Sequence, residues 1–562
     1  MKNILIFLTG LCFILMQIPA AGGNMQHIIA VHADVHEAIT HLYIQQGYAL
    51  PSSSGPWSAD ELMKMLEKLD REVLSPSQVK MFDYVHQTLT EHLPEKGDQT
   101  VLASFGLDLA AEAYLQTGTD EYLAREEMWL YDYTRRAPAA RISLDMWAAD
   151  SFYGYTEFVI MNSRHKGYFT NTFSSNLVID QLVGGINTVA SHFPVRGYVS
   201  AGSEHWSLQF GRDVLRWGDG ITGNLIVGDH LDYHEFFRFT TYHDRFKFSA
   251  VVASFQHPAT HYHDKVQDYL SGDEFVGDLN TQNRGFRAFA GHRLEFRPWD
   301  TVSIAVSETM MYMGDSFDFR YLNPSMIYHN YYMRSNSKSL LGLDISYAAA
   351  QNCSLYMNAV LDDTGIFGNP RAFGVLGGVK LSYPYRSGTL FFNLEGAYSD
   401  PLLYLRDPAG GDFPIDYIVS LWQWGEYFPF QGGDESGLYE VRRFLGYQYG
   451  NDLAAFKAEA GYSHYGLWSV KGGALLMFKG TYSMYTEWDK KLPAYWAPTS
   501  HTHEGEDIQT NLLLDVLATY APARSTELFG HICYAHVWNM EHSRKNGNGS
   551  TLQMSMGASF SL

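Results

Sequence analysis

Two periods of hydrophobic and polar positions divide the chain. From residue 24 to about 98 the apolar residues recur at helical spacing. Val35, Ala38, Ile39, Leu42 and Tyr43 share one face and predict a first helix ending near Gly47. A polar turn, Pro51 through Trp57, follows it. Ser58 opens a capping box with Glu61, ahead of a face made by Leu62, Met65, Leu66 and Leu69. Ser75-Pro76-Ser77-Gln78 starts a third helix, with proline at its first position and Val79, Phe82, Val85 and Leu89 as its stripe. Together these predict a small α-helical domain over residues 23–98.

Near residue 100 the period drops from 3.6 to 2. Phe105, Leu107, Leu109, Ala111 and Ala113 alternate with small or polar residues. So do Trp206, Leu208 and Phe210; Phe246, Phe248, Ala250 and Val252; Leu355, Met357, Ala359 and Leu361; and Leu390, Phe392 and Leu394. The last segment alternates from Leu552 through Met554, Met556, Ala558 and Phe560 to Leu562. Turn signals separate the segments, among them Asp362-Asp363-Thr364-Gly365, Asp407-Pro408-Ala409-Gly410-Gly411 and Asn546-Gly547-Asn548-Gly549. In water such a pattern makes a sandwich or soluble barrel; in an outer membrane it makes a barrel with lipid outside and a polar lumen.

The N-terminus bears on that choice. Lys2, an uncharged apolar stretch from Ile4 to Ile18, and then Pro19-Ala20-Ala21-Gly22-Gly23 read as a secretory signal peptide over residues 1–22. Cys12 is preceded by Leu11 where a lipid-attachment site needs a small residue, so lipidation is not expected. An exported chain with an unbroken strand regime fits the membrane version. Aromatic clusters at strand ends, Tyr331-Tyr332, Trp422-Gln423-Trp424 and Tyr482, Tyr485 and Trp488, suit interfacial girdles. The expected fold is mainly β: a large antiparallel transmembrane β-barrel over residues 99–562, preceded by the helical domain on the periplasmic side. At ~10 residues per strand, bacterial barrels of this length hold roughly 16–18 strands, and an even count of 18 is expected. Such barrels commonly end on an aromatic residue; here the end is Leu562, with Phe560 two positions before it.

Composition agrees. Of the 562 residues, 15% are aromatic and 18% charged, against roughly 25% charged in ordinary globular proteins. Internal runs of ~20 apolar residues are missing, which excludes a bundle of membrane helices. The net charge of -21 argues against nucleic acid, which needs basic surface to replace counterions.

Enzyme signatures are missing: there is no G-x-S-x-G elbow, H-E-x-x-H helix, P-loop or strand–GxGxxG–helix unit. A non-enzymatic protein without cofactor or metal is expected. His257, His261, His263 and Asp264, and also His501, His503, Glu504, Glu506 and Asp507, form two His-rich stretches. Solvated outer loops are the first reading of both, metal ligation the second. After export, Cys353 and Cys533 remain, either as small apolar strand residues or as one disulfide. Acidic and aromatic residues together suit carbohydrate, since ring faces stack on sugars and carboxylates bind hydroxyls.

One stretch carries a family resemblance. Gly211-Arg212-Asp213-Val214-Leu215-Arg216-Trp217-Gly218-Asp219-Gly220, running into Gly223-Asn224-Leu225-Ile226-Val227, resembles the central signature of the Wzi-type capsule assembly family: a strand ending in a basic Gly-Arg, a Trp-Gly turn with further glycines, then an apolar strand. Arg320-Tyr321-Leu322-Asn323-Pro324, through His329-Asn330 and Ser335-Asn336-Ser337 to Leu341-Gly342-Leu343-Asp344, is similar to its Asn-Pro loop and following strand. Arg443-Phe444-Leu445-Gly446-Tyr447, with Gly450 and Asp452, resembles a late loop, and Leu50-Pro51-Ser52-Ser53-Ser54 fits a helical domain ahead of the barrel.

The resemblance implies an outer-membrane barrel that attaches or organises capsular polysaccharide, a lectin rather than an enzyme. Arg212, Arg216, Trp217, Asp219, Asn323 and Arg443 are the candidate polysaccharide-binding residues. Read on their own, Arg216 and Trp217 flank a glycine turn where backbone can approach a ligand closely. Arg212 and Arg216 serve either as ligand donors or as partners of lumen acids such as Asp213 and Asp219. The expected partners are surface or capsular polysaccharide and outer-membrane lipid, and the expected state is a monomer. The alternative is a porin-like channel for small solutes.

Overall fold

The computed structural model describes residues 25–90, 101–117, 137–148, 151–162, 165–166, 173–176, 189–192, 195–255, 286–314, 320, 323, 326–328, 337–363, 371–405, 416–427, 435–484, 508–542 and 547–562. The predicted signal peptide, both His-rich stretches, Tyr331-Tyr332, Tyr485 and Trp488 lie outside the described residues.

Among the described residues two short strands, Phe173–Ser175 and Val189–His192, pair onto a wall closed by eighteen strands. In chain order they are β1 (Val101–Thr117), β2 (Ala140–Ala148), β3 (Phe152–Asn162), β4 (Gly197–Ser203), β5 (Trp206–Asp213), β6 (His234–His243), β7 (Phe246–Phe255), β8 (Phe286–Trp299) and β9 (Val302–Gly314). The second half is β10 (Ser337–Ala350), β11 (Cys353–Asp363), β12 (Ala372–Tyr385), β13 (Gly388–Ser399), β14 (Leu453–His464), β15 (Trp468–Lys479), β16 (Gln509–Ala523), β17 (Thr526–Trp538) and β18 (Asn548–Ser561). Each pairs antiparallel with its neighbours in sequence. The ring closes where β18 pairs with β1, Phe560 opposite Leu109. The expected strand count and closure are both observed. Cys353 starts β11 and Cys533 lies inside β17, and no disulfide joins them.

Alternation decides which side chains meet lipid. Phe105, Phe210, Leu390, Phe392, Leu394 and Phe560 are exposed on the outer surface. Their neighbours in the opposite parity are buried and polar: Gln209, Arg238, Lys247, Arg293, Asp344, Asn358, Lys380 and Glu395. Closure gives every wall strand a paired neighbour on both sides, as a hydrocarbon environment demands. Exposed Trp299, Tyr347, Tyr383, Tyr385, Trp468 and Tyr520 ring one end of the wall. That end carries the short turns, such as His243 to Phe246, Trp299 to Val302 and Tyr385 to Gly388.

Three helices close the short-turn end: α1 (Asp34–Gln46), α2 (Ala59–Glu67) and α3 (Pro76–Thr90). Each ends or starts where its cap predicts. Gly47 takes the left-handed conformation (φ 72°) after α1. Ser58 Oγ accepts the Glu61 N–H at 3.2 Å, and Gln78 Oε1 accepts the Ser75 N–H at 2.8 Å. The box at α2 is half made, because the Glu61 carboxylate turns to Lys247 of β7, 2.5 Å away. Ile39, Leu42, Leu62, Leu66, Met81 and Val85 form the core between helices. Gln45 Nε2 donates to Ser382 and Thr389 hydroxyls at 3.0 and 3.2 Å, fixing α1 to the wall.

Candidate functional site: a segment folded into the lumen

The signature stretch leaves the wall at the end of β5 and folds inward. Leu225-Ile226-Val227 is not a wall strand, contrary to the sequence expectation. Its three side chains are buried in the lumenal core with Trp217, Leu403, Tyr404 and Tyr447. The reason is space left by the wall. Gly291, Gly342 and Gly374, on β8, β10 and β12, face the lumen, and a Cβ at each would meet Trp217 (2.9 Å), the tip of Ile226, and Leu403 and Leu225 (2.9 and 3.3 Å) respectively. Apolar side chains thus fill a trough cut into an otherwise polar inner face.

Wall polar groups hold the segment's backbone. Glu395 accepts the N–H groups of Ile221 and Thr222, both at 2.8 Å, and the hydroxyl of Thr222. Asn358 Oδ1 accepts the Leu225 N–H at 3.1 Å, while its amide donates to Asp344 at 2.5 Å. Lys380 and Lys457 donate to the carbonyls of Asp219 and Ile221 at 2.7 and 3.1 Å. Buried backbone groups need such partners. Gly218 and Gly223 have φ of 133° and 129°, where other residues are strained.

Backbone bonds then run across the lumen between segments remote in sequence. Arg216 and Trp217 pair with Gly55 and Ser54, the polar turn ahead of α2. The Trp217 N–H donates to Val227 O (3.0 Å), Gly228 to Leu445 O (2.8 Å), Leu445 to Tyr417 O (2.9 Å) and Tyr417 to Tyr404 O (3.0 Å). The last partners belong to the connection between β13 and β14, where Ile418–Tyr427 and Glu435–Phe444 form a hairpin outside the wall sheet.

The candidate residues fall into different places. Trp217 is buried, edge-on to Phe289 at 6.3 Å. Arg212 pairs with Glu235 and lies 3.9 Å from the Tyr233 ring centre. Arg216 pairs with Asp229 at 3.6 Å and donates to Gly218 O. Both arginines therefore have acidic partners, though Glu235 and Asp229 rather than Asp213 and Asp219. Asp213 instead binds Arg196 at 2.8 Å. Burial raises the Asp219 carboxyl above its ordinary value, with Lys380 and Arg216 opposing. Arg443 reaches the same region, because His230 bonds Phe444 O at 2.8 Å. Asn323 is exposed on a separate turn between β9 and β10, where Met326 N–H bonds its carbonyl at 3.1 Å.

Titration follows burial. His36, stacked on Trp57 at 3.9 Å, donates to Ser52 O at 2.9 Å and is held down at about 3, chiefly by burial and then by Arg216. Burial likewise lowers His230 to about 4. Among the described residues no group of three or more His, Cys, Asp or Glu is placed to hold a metal. Glu395, Lys380 and Asn358, which hold the segment, carried no local sequence signal beyond polarity inside a strand.

A closed wall with an apolar outer belt and an inward-folded segment defines an outer-membrane β-barrel with an occupied lumen. Residues 161–408, which span that segment, match the family model of the capsule assembly protein Wzi. Its fold is similar to that of Wzi of Escherichia coli, described as an outer-membrane protein involved in group 1 capsule assembly and a carbohydrate-binding β-barrel (TM-score 0.56, 13% identity, 95% of this chain and 99% of that chain covered). It also matches OccD3 (OpdP) of Pseudomonas aeruginosa (TM-score 0.40, 9% identity, 82% and 91% covered) and the channel DcaP of Acinetobacter baumannii (TM-score 0.34, 11% identity, 83% and 99% covered). Among curated proteins there is no sequence match.

Proposed function

We propose that this chain is a non-enzymatic outer-membrane barrel that binds or organises capsular or surface polysaccharide. The observation that carries the reading is the family match over residues 161–408, which covers the lumenal segment. Short turns face the periplasm in bacterial barrels, so α1, α2 and α3 are a periplasmic layer and the long connections face outward. Asn323, exposed on the turn between β9 and β10, is the group offered to sugar hydroxyls or carboxylates. Arg212, Arg216 and Arg443 lie by the inward segment, and Trp217 and Asp219 shape its fold. The occupied lumen weighs against a porin-like channel. The protein works as a monomer in outer-membrane lipid, without cofactor or metal.

Deletion of the gene is expected to release polysaccharide into the medium. Unchanged surface-bound glycan in the deletion strain would sink the reading. A glycan array probed with detergent-purified protein identifies the sugar.

A further inference from the structure

Residues 49–56 cross the lumen mouth as a strap, and four cationic side chains on three adjacent wall strands hold it. Arg297 of β8 donates to the carbonyls of Ala49 and Leu50 at 3.0 and 2.7 Å. Arg293 of β8 reaches Ser53 Oγ at 3.2 Å. Lys247 of β7 donates to Ser52 Oγ at 3.0 Å and Ser54 O at 2.6 Å. Arg238 of β6 donates to the carbonyl of Pro56. All four are buried.

Direct ion pairs serve two of them. Arg293 has Glu295 at 3.0 Å and Asp344 at 2.5 Å, and Lys247 has Glu61 of α2. Arg238 and Arg297 make no ion pair and donate to carbonyl oxygens; Glu61 and Asp213 act on Arg238 from further off, Arg297 lies 5.5 Å from the Tyr43 ring centre, and Nε and Nη2 of Arg238 have no acceptor. A guanidinium is matched best by a carboxylate, which takes two parallel N–H bonds. Burying cations against neutral carbonyls is a costly way to seat a strap that apolar side chains would hold as firmly. The wall chemistry suits anionic oxygens better than the strap it holds.

We propose that the lumenal face formed by Arg238, Lys247, Arg293 and Arg297 is a binding track for an acidic oligosaccharide, and that the strap is its autoinhibitory occupant. The inference rests on the polysaccharide reading above. Sugar carboxylates replace the strap carbonyls, and the strap, with its pairing to Arg216 and Trp217, lifts away.

The test is amide exchange of residues 49–57 in the detergent-purified full chain, with oligogalacturonate, neutral maltoheptaose or inorganic phosphate added. Oligogalacturonate is expected to speed exchange there at least tenfold, and the other two to leave it unchanged. Calorimetry on R238Q/R297Q, its barrel verified by heat-modifiable migration, is expected to show at least tenfold weaker oligogalacturonate binding. Binding without a change in strap exchange, equal affinity in the variant, or an equal effect of phosphate overturns the track and leaves the surface-polysaccharide reading standing. No oligogalacturonate binding at all also overturns the track, while the capsule-release experiment judges the broader reading separately.

Discussion

Glu395 Oε1, on the barrel wall, accepts the backbone N–H of Thr222 at 2.8 Å, and its second oxygen takes the adjacent N–H of Ile221. One carboxylate thus fastens the tip of the signature segment to the opposite wall. E395A leaves the buried Thr222 N–H without an acceptor, at about 1–3 kcal/mol, and frees the part-buried Ile221 N–H as well. Amide exchange at Ile221 and Thr222 should quicken by one to three orders of magnitude while wall exchange stays slow. Equal protection in the variant would show that the anchor lies elsewhere.

The trough gives a second expectation. G342A adds a methyl where Ile226 packs, and overpacking costs about 1–3 kcal/mol. I226A opens a cavity at about 2–5 kcal/mol. In the double variant the alanine fills part of that cavity, so the combined loss should be smaller than the sum. Urea midpoints of the heat-modifiable form measure the cycle; strict additivity would separate the two positions.

Acid should loosen the strap. His36 is held at about 3 in the folded protein, against an unperturbed value of about 6.5. Below pH 6.5 the unfolded segment takes up a proton that the folded one refuses, so stability is present above 6.5 and falls by about 1.4 kcal/mol per pH unit on the way to 3. His230, lowered to about 4, acts in the same direction. H36Q keeps a donor for Ser52 O and should flatten the dependence of exchange at residues 49–57 on pH. An unchanged slope would assign the effect to other groups.

In planar bilayers the intact protein should give no long-lived porin-like steps, because Leu225, Ile226, Trp217, Leu403 and Tyr404 occupy the lumenal core. Stable large openings of the wild-type chain under native conditions would mean that this core opens readily.

Much of the wall was legible because its determinants are local. The alternation at Leu390, Phe392 and Leu394 assigns the lipid face without reference to any partner strand, and Ser58 and Ser75-Pro76 fix helix starts within a turn. The interior was not legible for the opposite reason. Leu225-Ile226-Val227 reads as a strand by composition, and only glycines on three distant strands make room for it elsewhere. Pro51 through Trp57 reads as a polar turn, because the side chains that hold it, Arg238 to Arg297, lie some two hundred residues away in the sequence. The six candidate residues came from one resemblance, and the fold brings Arg212, Arg216, Trp217, Asp219 and Arg443 toward the inward segment while Asn323 stands apart.

The closure of β18 against β1 governs the order of assembly. The ring stays open until its final strand meets its first. The lumenal segment is joined at both ends to neighbouring wall strands, β5 and β6, and lies packed against β8, β10 and β12. A closed cylinder offers no route for laying down such a dry interior afterwards. The wall must therefore curl around its contents, so the apolar trough is a folding template before it is a seal.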